Sequence, residues 1–179
     1  FFRAPAVTEA VRDLLNNRDG LMLGICNGFQ ALIKLGLVPY GDIVPMTAEC
    51  PTLTFNTIGR HQSRLVRTRV ASNLSPWLAK TEVGDMHTIA ISHGEGRFVA
   101  SDDMLAQLKA NGQIATQYVD EAGVPGMDLS VNPNGSLLAI EGITSPDGRV
   151  FGKMGHSERI GNGTFKNVPG EKDQPLFAA

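Results

Sequence analysis

The sequence has few cysteines, no long apolar run and no excess of one charge. Its two cysteines, Cys26 and Cys50, lie in unrelated contexts without CxxC spacing, which argues against a disulfide framework or a zinc site. The longest apolar runs, such as Leu21 to Ile25, are too short to cross a bilayer. Sixteen basic and eighteen acidic residues form no basic stripe, so nucleic acid and membranes are poor candidates for partners. A reducing cytoplasm is the expected location.

The 179 residues, 42% hydrophobic and 19% charged, suffice for one domain with a substantial core. Short apolar strands alternate with helical patterns, which predicts an α/β fold. Because the chain begins Phe1-Phe2-Arg3 and enters a helical pattern at once, we expect residues 1–179 to belong to a longer protein whose first strands lie upstream. The alternating segments 53–58 and 65–70 are expected to form antiparallel strands or a hairpin layer. The other predicted elements are helices 7–16, 28–35 and 102–111, and strands 21–25, 86–91, 113–119, 136–143 and 150–154.

Cys26 lies in the turn Gly24-Ile25-Cys26-Asn27-Gly28, between a buried strand and a helix. This is the layout of a nucleophile elbow, with cysteine in place of serine. The helix start brings unpaired N–H groups close to the sulfur, which predicts a lowered thiol pKa, and the Asn27 amide can donate to a developing oxyanion. Cys26 is therefore the candidate nucleophile; the alternative is a small apolar residue beside a strand. Cys50, before a proline in a loop, has none of these features.

A thiol nucleophile needs a base and a group that orients the base. His156 is followed two residues later by Glu158, and an extended chain would direct both side chains to the same side. His93 is likewise followed by Glu95, but its glycine-rich surroundings suit backbone donors that approach a ligand. The residues alone prefer His156 modestly and leave His93 open. The histidines expected in ordinary polar contacts are His61 and His87.

Together these motifs resemble class I (triad) glutamine amidotransferases, and more narrowly the glutaminase domain of the phosphoribosylformylglycinamidine synthase family. The motifs are Gly24-Ile25-Cys26-Asn27-Gly28-Phe29-Gln30, His93-Gly94-Glu95-Gly96-Arg97-Phe98 and Gly155-His156-Ser157-Glu158-Arg159, supported by 132–136 and 140–143. The resemblance covers most of the chain, from about Leu14 to Asp173. It implies a flavodoxin-like class I glutamine amidotransferase fold with a mixed, mostly parallel sheet.

The resemblance implies that Cys26, His156 and Glu158 form a triad that hydrolyses glutamine to glutamate and ammonia through a cysteinyl thioester. The implied substrate-binding residues are Asn27, Gln30, Ser92, His93, Gly94 and Glu95. The ammonia would serve a synthetase domain, fused or separate, that converts formylglycinamide ribonucleotide to formylglycinamidine ribonucleotide. ATP and Mg²⁺ would belong to that synthetase, and no cofactor or metal is expected in this chain.

Three alternatives stand beside this interpretation. The separation of Cys26 and His156, 130 residues, suits a papain-like peptidase, but the C-G-[SA]-C-[WY] signature is missing. A γ-glutamyl hydrolase would share the fold and need no synthetase. A catalytically idle docking domain is the non-enzyme alternative, against which the intact Cys26, His156 and Glu158 argue. The substrate distinguishes a papain-like peptidase from a glutamine amidotransferase: the first hydrolyses a peptide, and the second hydrolyses free glutamine and releases glutamate.

Overall fold

The computed structural model of the chain describes residues 2–161 and 163–179. In chain order the elements are α1 (Pro5–Asn16), β1 (Met22–Ile25), α2 (Asn27–Leu35), α3 (Leu37–Tyr40), β2 (Thr52–Thr54), β3 (Gln62–Val70), β4 (Met86–His93), β5 (Arg97–Val99), α4 (Asp102–Ala110), β6 (Ile114–Tyr118), β7 (Ile140–Thr144) and β8 (Val150–Lys153). Short 3-10 turns lie at Pro76–Leu78, Leu137–Ala139 and Leu176–Ala178. No helix in the two described ranges has the length and apolarity needed to cross a membrane.

Local sequence explains where the predicted helices begin and end. α1 begins at Pro5, whose missing N–H would be unpaired in the first turn anyway. α2 ends at Gly36, which adopts the left-handed conformation (φ 89°) common at helix ends. α4 is capped by Ser101, whose side chain accepts the Met104 N–H. The three helices predicted from periodicity are confirmed, with small shifts at their ends.

Six strands form one mixed sheet in the order β1-β8-β7-β6-β3-β4, and β2 pairs with β5 in a second, two-stranded sheet. The β1–β8 pair is parallel, and the other four pairs of the large sheet are antiparallel. The prediction of an α/β fold with a mixed sheet is confirmed, with the correction that parallel pairs are not the majority here. For one of these pairs the connection explains the direction: β7 and β8 are joined by residues 145–149, too few for the crossover that parallel neighbours need.

Two strand predictions also need correction. The segments 53–58 and 65–70 contain antiparallel strands, as one alternative had it, but they do not form a hairpin in the described chain: β2 lies against β5, while β3 lies between β4 and β6. Alternation identifies the two faces of a strand but not its neighbour. The predicted strand 136–143 begins only at Ile140, because Leu138 and Ala139 have left-handed φ values of 51° and 54°, which a strand excludes.

The close packing of α2 on β1 and β8 fixes the residue between β1 and α2. Gly152 of β8 lies directly against the Phe29 ring, and an added Cβ at Gly24 of β1 would lie 2.7 Å from the Gly28 carbonyl carbon. Side chains at either glycine would push the helix away from the sheet. β1 and β8 are in parallel register, with Ile25 opposite Lys153. Their carboxyl ends therefore lie side by side at one edge of the sheet.

Candidate active site

Cys26 occupies the sharp turn between β1 and α2. Its backbone has φ 54° and ψ −107°, a conformation that costs a non-glycine residue on the order of 1–3 kcal/mol. Two main-chain hydrogen bonds hold it: the Cys26 N–H donates to the Lys153 carbonyl at 2.8 Å, and the Gln30 N–H donates to the Cys26 carbonyl at 3.1 Å. The turn has the strand-to-helix geometry of a nucleophile elbow.

The Cys26 thiol is poorly hydrated, since only 8% of the residue is exposed. Burial raises the pKa of Cys26, while the Asn27 amide N–H and the charge of Arg159 act in the opposite direction. The expectation that the helix start lowers this pKa is therefore wrong in its net result, because desolvation outweighs the amide. At neutral pH the sulfur keeps its proton, and its reaction requires a neighbouring base.

His156 follows β8 and is attached to β4. Its N–H donates to the Ala90 carbonyl at 2.8 Å. Its Nδ1 lies 2.5 Å from Glu158 Oε1, so a proton on Nδ1 is donated to the carboxylate and Nε2 is left as an acceptor. Nε2 is buried and has no hydrogen-bond partner among the residues that the structure describes. A buried nitrogen of this kind is available to a thiol or a substrate.

The contact between His156 and Glu158 forms differently from the extended arrangement that the sequence suggested. The Arg159 N–H donates to the His156 carbonyl at 3.2 Å, so residues 156–159 form a turn. This turn, and not strand alternation, brings the carboxylate back to the imidazole. The side chain of His156 is 10% exposed and that of Glu158 is 41% exposed, so the carboxylate is partly hydrated while the ring is not.

A cavity of about 630 Å³ brings the cysteine and the histidine together. Eight of the nine predicted site residues line it, and the ninth, Glu158, contacts His156. The volume is in the range of small-molecule sites and accommodates a free amino acid. The lining consists of Ile25, Cys26, Asn27, Gln30, His61, Ser92, His93, Gly94, Glu95, His156 and Arg159.

Two side-chain amides hold the loop between β4 and β5 at the cavity. Gln30 Nε2 donates to the Glu95 carbonyl at 2.6 Å. The buried Asn56 donates from Nδ2 to the His93 carbonyl at 2.8 Å and accepts the Gly96 N–H at Oδ1, 3.2 Å away. The loop therefore presents a fixed main chain to the cavity, which suits recognition of a ligand by backbone groups.

His93 is a buried, neutral imidazole. Burial, helped by the nearby His61 and His156, lowers the pKa of His93 to about 4. The ring nitrogen Nδ1 lies 3.2 Å from Asn56 Oδ1, so its partner is an amide and not the carboxylate of Glu95. Of the two histidines that the sequence left open, the geometry favours His156 as the base.

Three residues of the site were not predicted. Asn56 gave no signal, because a lone asparagine before a turn is ordinary. His61 makes the polar contact expected of it, with Nε2 3.1 Å from Ser92 Oγ, but it also lines the cavity. Arg159 adds a positive charge to the lining; its position next to Glu158 in the sequence could have indicated that it belongs to the site. Within the described ranges no group of three or more His, Cys, Asp or Glu side chains has the arrangement of a metal site.

The chain is similar to known proteins along nearly its whole length. The family model of the CobB/CobQ-like glutamine amidotransferase domain matches residues 1–178. A solved structure, that of PurLQS from Thermotoga maritima, superimposes with a TM-score of 0.63 and 29% identity, covering 96% of this chain and 68% of that chain.

Several curated relatives are described as phosphoribosylformylglycinamidine synthase subunit PurQ. The protein from Aquifex aeolicus is 39% identical over 153 residues, which are 86% of this chain and 61% of the relative. The protein from Moorella thermoacetica is 34% identical over 168 residues, covering 94% and 64%. That from Symbiobacterium thermophilum is 39% identical over 179 residues, covering 99% and 67%. The chain thus spans roughly three fifths to two thirds of the length of these relatives.

Proposed function

We propose, from the premise that this chain belongs to the CobB/CobQ-like glutamine amidotransferase family, that residues 1–179 form a glutaminase unit that hydrolyses glutamine to glutamate and ammonia. The observation that carries the proposal is the cavity shared by Cys26 and His156, with the imidazole oriented by Glu158. A buried thiol with a raised pKa is a poor nucleophile alone, and the free Nε2 of His156 supplies the base that it needs.

In the first half of the proposed reaction, Cys26 Sγ attacks the side-chain amide carbon of glutamine while its proton passes to His156 Nε2. The carboxylate of Glu158 stabilises the imidazolium that results. The Asn27 N–H, which already contacts the sulfur, can donate to the oxyanion of the tetrahedral intermediate. His156 then protonates the amine as the C–N bond breaks, which releases ammonia and leaves a glutamyl thioester on Cys26.

In the second half, His156 Nε2 takes a proton from a water molecule, which attacks the thioester carbonyl carbon. The C–S bond of the intermediate breaks, the sulfur of Cys26 recovers its proton, and glutamate leaves. The two halves consume one glutamine and one water, and produce one glutamate and one ammonia. His156 thus acts as base and acid in turn, and the carboxylate keeps the ring in one orientation throughout.

The amino-acid end of glutamine is proposed to lie against the loop between β4 and β5. Ser92, Gly94 and Glu95 line the cavity there, and the loop is held by Gln30 and Asn56. Because Gln30 Nε2 is engaged by the Glu95 carbonyl, its Oε1 is the atom left to accept a hydrogen bond from the substrate. The neutral ring of His93 would shape the wall of the site without exchanging protons.

The proposal extends to a partner and to the use of the ammonia. A synthetase, as a domain of the same protein or a separate subunit, would use ATP and Mg²⁺ to activate the amide oxygen of formylglycinamide ribonucleotide. Ammonia would displace that oxygen and give formylglycinamidine ribonucleotide, a step of purine biosynthesis. The support is the similarity to proteins described as phosphoribosylformylglycinamidine synthase subunits and to PurLQS. A cytoplasmic location belongs to the same proposal.

Replacing the nucleophile tests the assignment in the native full-length protein. Cys26→Ala is expected to abolish release of glutamate from glutamine, because no other described residue of the cavity carries a thiol. Synthesis of formylglycinamidine ribonucleotide from free ammonia should persist, since it bypasses this site. Cys50→Ala, which removes the cysteine outside the cavity, is the matched control and should retain both activities. Glutamine hydrolysis by Cys26→Ala at the wild-type rate would contradict the proposal.

A further inference from the structure

A buried ion pair lies beneath the loop that carries His156. Glu141 of β7 and Lys153 of β8 are both fully buried, and Lys153 Nζ lies 3.5 Å from Glu141 Oε1. Moving two charges out of water is costly, and an uncharged pair of similar volume often gives equal or greater stability. Stability alone is therefore a weak explanation for this pair.

The hydrogen bonds of the pair converge on the two residues that flank His156. Lys153 Nζ donates to the Gly155 carbonyl at 3.0 Å and to Ser157 Oγ at 2.7 Å. Glu141 Oε1 accepts the Gly155 N–H at 2.5 Å. The ion pair therefore fixes the chain on both sides of the imidazole.

Two further hydrogen bonds extend this cluster. The Thr116 hydroxyl donates to the second carboxylate oxygen of Glu141, and Ser157 Oγ donates to Gln174 Oε1 at 2.6 Å. Gly155 fits because it has no side chain: an added Cβ would lie 2.9 Å from Glu141 Oε1. A buried polar network in which these groups are paired is rigid, because any movement leaves a charge unsatisfied.

Lys153 also contacts the nucleophile turn. Its carbonyl accepts the Cys26 N–H at 2.8 Å, while its ammonium group holds the neighbours of His156. Lys153 thus binds the turn at Cys26 with its main chain and the residues on both sides of His156 with its side chain. We propose that Lys153, with Glu141 as its counter-ion, is a positioning residue that holds the His156 imidazole in place for Cys26. This inference rests on the proposed glutaminase function.

Kinetic and stability measurements on the native full-length protein separate positioning from a structural role. Lys153→Met and Glu141→Gln each break the pair, whereas the double variant Lys153→Met/Glu141→Gln has no buried charge and should regain much of the melting temperature that either single variant loses. Its kcat for glutamine hydrolysis is nevertheless expected to stay about 100-fold below wild type, because small misplacements of a base are costly. The KM for glutamine should be nearly unchanged. Recovery of kcat together with the melting temperature would overturn the proposal.

The matched control for the double variant is the surface pair of Arg67 and Glu121, whose side chains are 31% and 88% exposed. Arg67→Met/Glu121→Gln removes the same two charges at a distance from the cavity lining. Its kcat and KM should equal those of the wild type. A loss of kcat as large as that of the buried double variant would show a general effect of charge and overturn the positioning role.

The rate at which iodoacetamide alkylates Cys26 at neutral pH reports the placement of His156 beside the thiol, and it can be measured without glutamine. In a Cys50→Ser background, Lys153→Met/Glu141→Gln should slow alkylation of Cys26 to the rate seen in His156→Ala, because the base no longer meets the thiol. If the protein with Lys153 and Glu141 intact hydrolyses no glutamine but the double variant still slows alkylation of Cys26, the proposed function is rejected and the positioning role is kept. Normal hydrolysis with an alkylation rate that the double variant leaves unchanged would reject the positioning role alone.

Discussion

Replacing Glu158 by glutamine measures what the carboxylate contributes to proton transfer. Nδ1 of His156 lies 2.5 Å from Glu158 Oε1, so the imidazolium formed in the proposed reaction would face a negative charge directly. Unit charges about 4 Å apart attract by about 1 kcal/mol in water and about 4 kcal/mol at an effective dielectric constant of 20. Because 41% of the Glu158 side chain is exposed, solvent screening brings the gain to about 2 kcal/mol.

Glu158→Gln retains the shape and one acceptor oxygen but loses this attraction, so kcat for glutamine hydrolysis should fall about 30-fold. The KM should change little, since Glu158 does not belong to the cavity lining. Steady-state release of glutamate gives both constants, and ammonia-dependent synthesis reports whether the rest of the enzyme is intact. The control is Glu121→Gln, which removes a carboxylate that is 88% exposed and pairs with Arg67. A kcat for Glu158→Gln equal to that of the control would refute the orienting role.

Two other outcomes are expected. Asn56→Ala should raise the KM for glutamine about 10-fold, because it removes the hydrogen bonds to the His93 carbonyl and the Gly96 N–H that hold the loop between β4 and β5. Glutamate release measured over a range of glutamine concentrations gives the KM. An unchanged KM would contradict the proposed role of this loop in binding glutamine. In the substrate-free protein at neutral pH, iodoacetamide should modify Cys50 before Cys26, because hydrogen bonds from Thr47 lower the pKa of Cys50 whereas burial raises the pKa of Cys26. The two rates of modification should converge as the pH rises through the pKa of Cys26 and its thiolate forms. Peptide mass spectrometry measures the labelling of each cysteine, and faster labelling of Cys26 than of Cys50 at neutral pH would contradict the expected order.

The parts of the site that were predicted from the sequence depend on residues close together in the chain. The turn at Cys26 could be predicted because its strand, glycines and helix are contiguous. The proximity of His156 and Glu158 was also local, although a turn brings them together where an extended chain was expected. Contacts within a few residues are limited by covalent geometry, so sequence patterns determine them well.

Properties set by distant residues could not be predicted in the same way. The sign of the pKa shift of Cys26 depends on how much protein covers the sulfur, which the helix start does not reveal. The pairing of β2 with β5 depends on a partner more than forty residues away. Lys153 stands between apolar residues in a predicted strand, but nothing local shows that Glu141 neutralises it across the sheet. Sequence patterns give the faces of strands, and only the assembled sheet gives their neighbours.

The parallel alignment of β1 and β8 has a consequence for how this chain can change over evolution. The segments that carry Cys26 and His156 leave the sheet from adjacent strands, whose separation is about 4.8 Å in any hydrogen-bonded sheet. The distance between the points where these two segments leave the sheet is therefore set by the peptide backbone, whichever apolar side chains fill the interior. Apolar core residues can therefore be substituted during evolution without moving the two segments apart, as long as Gly24 and Gly152 keep α2 close to both strands.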